Sequence, residues 1–158
     1  IGTGPNPREV LELLDQYQVK SVMGNHEMYI TKGVDFLKQH LEETYSYDAT
    51  LRNSAWTREK LTANQVENLE LYPLTREVAL GKKKILLCHS SKDLNHHRLI
   101  VEPKNYDTIF QGHVHFQNKK GNIQTLRGAG IGVKKKNEQG KAYYVILSEQ
   151  RDGQYKIN

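Results

Sequence analysis

The sequence predicts a layered α/β domain with a mixed sheet system. Two observations carry that prediction. In the first half, apolar residues recur at helical spacing; in the second half, they gather into short runs bounded by turn residues. Pro73 marks the change of period, and helices early with strands late suggest layers around one core. The length of 158 residues suits one domain. A chain of that size buries about 68–70% of its unfolded surface, so it needs no disulfide or structural metal to fold.

The chain opens on Ile1-Gly2-Thr3-Gly4-Pro5-Asn6-Pro7. Gly/Pro-rich loops of this kind usually join two elements, so further chain is expected in front of residue 1. Asn6 reads as a helix N-cap with Pro7 at the first helical position. Val10, Leu11, Leu14 and Tyr17 follow at helical spacing and predict a helix over 7–17. Val19 to Met23, ended by Gly24, reads as a short buried strand with a loop at its C-terminal end. In open α/β sheets, ligands bind at such ends. Residues 33–45 and 54–61, the latter around Trp56, read as helices. Thr62 with Gln65 three residues on is a capping box; Val66, Leu69 and Leu71 follow, and Pro73 ends the helix.

Thr75–Leu80 and Lys84–Cys88 read as strands joined through a Gly81-Lys82 hairpin turn. Residues 92–105 are polar and loop-like. Thr108–Phe110 is a short strand ending at Gln111-Gly112. Residues 122–127 and 142–148 read as strands, and Asp152-Gly153 turns into a last strand over 154–157. No repeat or linker interrupts the pattern, so residues 1–158 are expected to form a single domain.

Composition narrows the function classes. Twenty-three Lys+Arg against 18 Asp+Glu give a net charge of +5, which permits an anionic substrate without specifying one. Mean hydropathy is −0.73. No apolar stretch approaches a membrane span and no signal-peptide core is visible. The one cysteine, Cys88, excludes a disulfide framework and a four-cysteine zinc site and suits a reducing cytoplasm, the expected location. Lys82-Lys83-Lys84, Lys119-Lys120 and Lys134-Lys135-Lys136 fall in expected turns without interleaved aromatics, so they read as solvated and not as a nucleic-acid surface. No pattern points to an oligomeric state.

Three clusters carry chemistry, each just after an expected strand: Gly24-Asn25-His26-Glu27, Cys88-His89-Ser90 and Gly112-His113-Val114-His115. Three strand ends in one sheet would converge on one edge, bringing four imidazoles and an amide together. His113 and His115 are two apart, on one face if the backbone is extended. Neutral imidazole is the commonest protein metal ligand. Nitrogen and oxygen donors without thiolate favour Mn, Fe, Ni, Co or Zn in an open site. His40, His96 and His97 have no such context and read as solvated. Cys88 ends an apolar run and reads as a small buried hydrophobe, and Ser90-Ser91 has no relay partner nearby.

These motifs resemble those of the calcineurin-like metallophosphoesterases. The match is Gly-Asn-His-Glu at 24–27, a strand-end histidine at 89 and Gly-His-x-His at 112–115. The opening Gly-Thr-Gly-Pro-Asn-Pro-Arg-Glu-Val and the Ala55-Trp56-Thr57-Arg58 stretch look like the small phosphodiesterase branch of bacteria and archaea. The resemblance covers residues 1 to about 130. It implies a four-layer sandwich of two mixed β-sheets flanked by helices. It implies two divalent metal ions, with manganese first among the candidates. Asn25, His89 and His113 would bind one ion and His115 the other. His26 would not be a ligand; it would stabilise the substrate phosphate and protonate the leaving oxygen. Glu27 would orient the loop or His26 from behind. The activity implied is hydrolysis of a phosphate ester, a small molecule or nucleotide, by a hydroxide activated between two metals.

The chain departs from the family pattern in three places. The family's Asp-x-His motif and its metal-bridging Gly-Asp are absent, and both are expected before residue 1, on two strand–helix units of roughly 50 residues. The domain is therefore expected to be incomplete at its N-terminal side, and the stretch by itself inactive. The third departure is Arg127-Gly128-Ala129-Gly130-Ile131-Gly132, where the family usually has Asn-Pro-Gly-Ser. The competing expectation is a scaffold or binding protein on the same fold that has lost catalysis.

Overall fold

The computed structural model describes residues 1–2, 4–40, 47–91, 101–113, 118–125, 147–149 and 155–157. The chain divides into two compact units, Ile1–Pro73 and Leu74–Asn158.

The first unit is helical. Helix α1 spans Pro7–Gln16. Proline suits its first turn because the missing N–H would have no partner there. Asn6 stands at the N-cap position, but its side chain makes no capping bond; its carbonyl accepts the Val10 N–H at 3.1 Å instead. Gln18, at φ +50, ends the helix in the left-handed region. The Gln18 N–H reaches the Asp15 carbonyl at 2.9 Å and the Val19 N–H the Leu14 carbonyl at 2.8 Å, the bond pair of a Schellman stop.

The expected strand over Val19–Met23 does not form. Strands exist through a continuous ladder, and no ladder is formed by this segment, whose Met23 N–H instead bonds the Pro73 carbonyl at 2.8 Å. Where a loop was expected after Gly24, helix α2 begins at once and runs Asn25–His40. Gly33, at φ +82 and ψ 177, breaks it. That break leaves carbonyls at the end of the first half without helical partners. Arg58 supplies a cationic donor there, bonding the carbonyls of Ile30 and Thr31, the latter at 3.0 Å. The helix expected over 33–45 is thus the second half of α2; residues 41–46 lie outside the described residues.

Helix α3 spans Tyr47–Lys60, starting well before the expected residue 54. Its buried positions are Ser54 and Thr57, so no apolar stripe advertises the helix. Helix α4 spans Ala63–Glu70, and its capping box forms as expected: the Gln65 N–H donates to Thr62 Oγ1 at 3.2 Å, and the Thr62 N–H to Gln65 Oε1 at 3.0 Å. Leu11, Ile30, Leu61 and Leu69 make the core of this unit, with Ile1, Leu14, Val66 and Tyr72 against it.

The second unit carries a five-stranded mixed sheet in the order β1-β2-β3-β5-β4. The strands are β1 (Thr75–Leu80), β2 (Lys83–Cys88), β3 (Thr108–Gln111), β4 (Asn118–Lys120) and β5 (Ile123–Thr125). β1 and β2 form the expected antiparallel hairpin, turning at Gly81 with φ +56. β2 and β3 are parallel, with Leu86 opposite Ile109, and β3 and β5 are parallel too. Thr108, Ile109 and Phe110 are all buried, as a central strand covered on both faces requires. β4 was not expected: Asn118-Lys119-Lys120 has no apolar run and pairs through a hairpin at Gly121. β6 (Leu147–Glu149) and β7 (Tyr155–Ile157) form an antiparallel pair in a second sheet. Residues 142–146 of the expected longer strand lie outside the described residues.

Asp107 sets where β3 begins beside β2. Its Oδ2 accepts the Lys84 N–H at 2.8 Å, its Oδ1 meets Lys83 Nζ at 3.0 Å, and its own N–H donates to the Lys84 carbonyl at 2.9 Å. The next residues then pair as Ile85 with Thr108. Leu86, Cys88 and Ile109 are the core beneath, with Val101, Tyr106 and Ile123 against it. The fold class is the mixed α/β one expected.

Candidate active site

The sheet unit brings His89 and His113 together. Each follows the C-terminal end of a parallel strand, β2 or β3, and these strands are direct neighbours. The two loops are bonded to each other. The His89 carbonyl accepts the N–H groups of Gly112 at 3.0 Å and His113 at 2.8 Å. The Ser91 N–H donates to Gln111 Oε1 at 2.9 Å. The rings stand edge to face at 71°, with centroids 5.1 Å apart. His89 Nε2 and His113 Nδ1 are 3.1 Å apart.

That separation suits a shared metal ion. Two nitrogens each about 2.1 Å from one ion, at angles of about 90–109°, stand roughly 3.0–3.4 Å apart. His113 is exposed and His89 half-buried, so the pair can be reached from solvent. His115, expected to bind the other ion, lies outside the described residues, as do His96 and His97. Among the described residues, no group of three His, Cys, Asp or Glu side chains meets at one point.

Cys88 adjoins His89 in sequence but takes no part. It is 4% exposed, its thiol faces the Phe110 carbonyl at 3.7 Å, and burial pushes its pKa up to about 11. A thiol in that state is a poor nucleophile.

The helical unit carries Asn25, His26 and Glu27 in the first turn of α2. The expected strand end is replaced by a helix N-terminus, so these side chains are aimed by helical geometry and not by a sheet edge. Glu27 is 9% exposed. Its Oε2 accepts the Gly24 N–H at 3.0 Å, and its Oε1 accepts a hydrogen bond from the Ile1 nitrogen. Glu27 thus ties the residue before Asn25 to the opening segment.

Sequence reading missed four residues around these groups. Tyr29, one turn along α2, bonds the Asn25 side chain, and burial holds its phenol above the ordinary range. Its ring meets His26 edge-on at 5.9 Å. Gly2, at φ +104, lies against the His26 imidazole. Asn53 donates its side-chain amide to the Gly2 carbonyl. Gln111 is the fourth. The spacing of Tyr29 from Asn25 and His26 was a signal for helical neighbours, but only if 25–32 is read as helix.

A family model for the calcineurin-like phosphoesterase superfamily domain matches residues 1–151. The chain belongs to the calcineurin-like phosphoesterase superfamily. Phosphoester hydrolysis with divalent metal ions is the general chemistry of that family. The uncharacterized protein MJ0912 of Methanocaldococcus jannaschii is 28% identical over 140 residues, covering 81% of this chain and 54% of that protein. The crystal structure of hypothetical protein PH1004 from Pyrococcus horikoshii OT3 matches with a TM-score of 0.57 at 20% identity, covering 82% of this chain and 60% of that one. The latter likeness shows the fold alone. The chain spans about half the length of the curated relative it matches. Among the described residues, no helix is long and apolar enough to cross a membrane.

Proposed function

We propose that this chain carries part of the active centre of a cytoplasmic metal-dependent phosphoesterase acting on a small phosphate ester or nucleotide. The observation that supports it most is the His89–His113 pair, with ring nitrogens 3.1 Å apart at the ends of neighbouring parallel strands. His89, His113 and Asn25 would hold one divalent ion and His115 a second, manganese being the first to try. When bound, such ions supply an activated hydroxide and neutralise phosphate oxygens. The chain's own residues do the rest. The His89 carbonyl, accepting from both Gly112 and His113, ties together the backbones that carry the two imidazoles, which lowers the cost of binding. Tyr29 is a hydrogen-bond partner of the Asn25 side chain. His26 donates a proton to the leaving oxygen, a role worth about 10²–10⁴-fold in rate.

The test compares metal content, Mn²⁺ affinity and turnover of a chromogenic phosphodiester in the purified protein and three variants. His89→Ala and His113→Ala should lose both metal and turnover. His26→Ala should keep its metal and lose about 10²–10⁴-fold in kcat. Metal lost from His26→Ala would show that the role assigned to His26 is wrong. A wild-type protein that includes the chain expected in front of residue 1, yet takes up no divalent ion and turns over no phosphate ester, would instead be a binding protein on this fold.

A further inference from the structure

Residues 1 and 2 are held at three points, two on the start of α2 and one on α3. The Ile1 nitrogen donates to Glu27. The Gly2 carbonyl accepts the Asn53 side-chain amide from α3. Between those bonds, Gly2 itself lies on His26. A Cβ placed on Gly2 would sit 2.9 Å from His26 Cβ and 3.2 Å from both Cγ and Nδ1. The first of those distances is closer than carbon atoms tolerate. Gly2 also has φ +104, a conformation that residues with a Cβ rarely adopt. Two independent facts therefore favour glycine here, the backbone conformation and the close approach to His26. Tyr29 meets the same ring edge-on at 5.9 Å.

We propose that Asn53, acting through the backbone of Gly2, is a positioning residue for His26. The proposal rests on the reading of His26 as the proton donor. An imidazole on the first turn of a helix has more than one staggered side-chain rotamer open to it. The Gly2 backbone blocks rotation toward the opening segment. It can do so only while that backbone stays in place. Glu27 fixes residue 1 to α2, and Asn53 fixes residue 2 to α3. Without the Asn53 bond, Gly2 would pivot about residue 1 and release the ring. Glu27 was expected to orient the loop or His26; its carboxylate bonds Gly24 and Ile1, while Gly2 lies on His26, and the side chain that anchors Gly2 is Asn53 of α3, one residue before the helix expected over 54–61.

The test reads the ring directly, by NMR at one pH on protein labelled at histidine and glycine. The variants are Asn53→Ala, Asn53→Asp (same shape, no donor) and Asn53→Gln (donor kept on a longer stem), with exposed Arg52→Ala on the same helix as control. In wild type, a strong NOE should join Gly2 Hα to His26 Hβ. Asn53→Ala and Asn53→Asp should lose most of it and move the His26 ring signals, while the signals of the other histidines stay. Asn53→Gln should recover part, and Arg52→Ala should change nothing. In the metal-loaded protein, Asn53→Asp should lower kcat by roughly 10- to 100-fold, the scale of a small misplacement, with KM and metal content unchanged. Gly2→Ala should move His26 in the same way; if it does not fold, the Asn53 series decides. The proposal is overturned if Asn53→Ala and Asn53→Asp leave the NOE intact, or if kcat holds although the NOE is lost. A wild-type protein that includes the chain expected in front of residue 1 and still shows no turnover sinks the phosphoesterase reading, while the NOE still decides whether Asn53 and Gly2 hold the ring.

Discussion

Cys88 and His89 are neighbours with opposite chemistry, and burial separates them. A strand alternates its side chains, so Cys88 points into the core at 4% exposure while His89 sits half-buried in the loop beyond β2. Desolvation of the thiolate raises the thiol to about 11. An unfolded cysteine ionises near 8.5. Between those values the unfolded chain has lost its proton and the folded one has kept it. Stability therefore falls as pH rises from about 8.5 to 11. At pH 8, iodoacetamide should label native Cys88 far more slowly than the same protein in denaturing urea, read by mass spectrometry. Equal rates would mean that the thiol is exposed in solution.

At the scale of the element, the ends of helices decide more than their middles. α1 stops through a Schellman pair with Gln18 at φ +50, where glycine is the usual occupant. A residue with a Cβ pays about 1–2 kcal/mol to sit there. Gln18→Gly should therefore raise stability by up to about 1 kcal/mol, after the entropy that glycine adds to the unfolded chain. A urea midpoint that shifts downward would overturn this. α2 shows the converse. Gly33 interrupts it, and Arg58 covers the carbonyls that the break exposes. The Ala55-Trp56-Thr57-Arg58 stretch, noticed in the sequence for its resemblance, thus has a structural task in supporting the helix that starts with Asn25, His26 and Glu27.

At the scale of the whole molecule, each unit has its own apolar cluster, and the sheet unit is fastened at one edge by exposed charges. The Lys84 backbone N–H, and then the Lys83 side chain, hold the Asp107 carboxyl below its ordinary range. The Tyr106 hydroxyl and Lys84 do the same for Glu77. Carboxylates lowered in the fold contribute stability above their unfolded pKa and lose it as pH falls through the folded one. Asp107→Asn should lower the melting temperature at pH 7, and the difference should shrink in acid as Asp107 protonates. Because Asp107 is exposed, salt should also shrink the charge-dependent part. A difference that persists unchanged at pH 2 would assign the effect to shape and not to charge.

The sequence by itself determined the elements that announce themselves through local chemistry. Thr62 and Gln65 specify a capping box three residues apart, and Gly81-Lys82 between two apolar runs specifies a hairpin. The motifs at 24–27, 89 and 112–115 identified the family, because rare residue types at fixed spacing survive any error in element boundaries. Tertiary structure decided what depends on partners distant along the chain. Val19–Met23 has a strand's composition but no ladder, since a ladder requires a neighbour that composition cannot supply. α3 and β4 form without an apolar stripe or run, because their partners stabilise them. The same reason hid Asn53 and Gly2: a side-chain amide 51 residues from the carbonyl it holds leaves no local signal, and only the packing of α3 beside α2 brings them together.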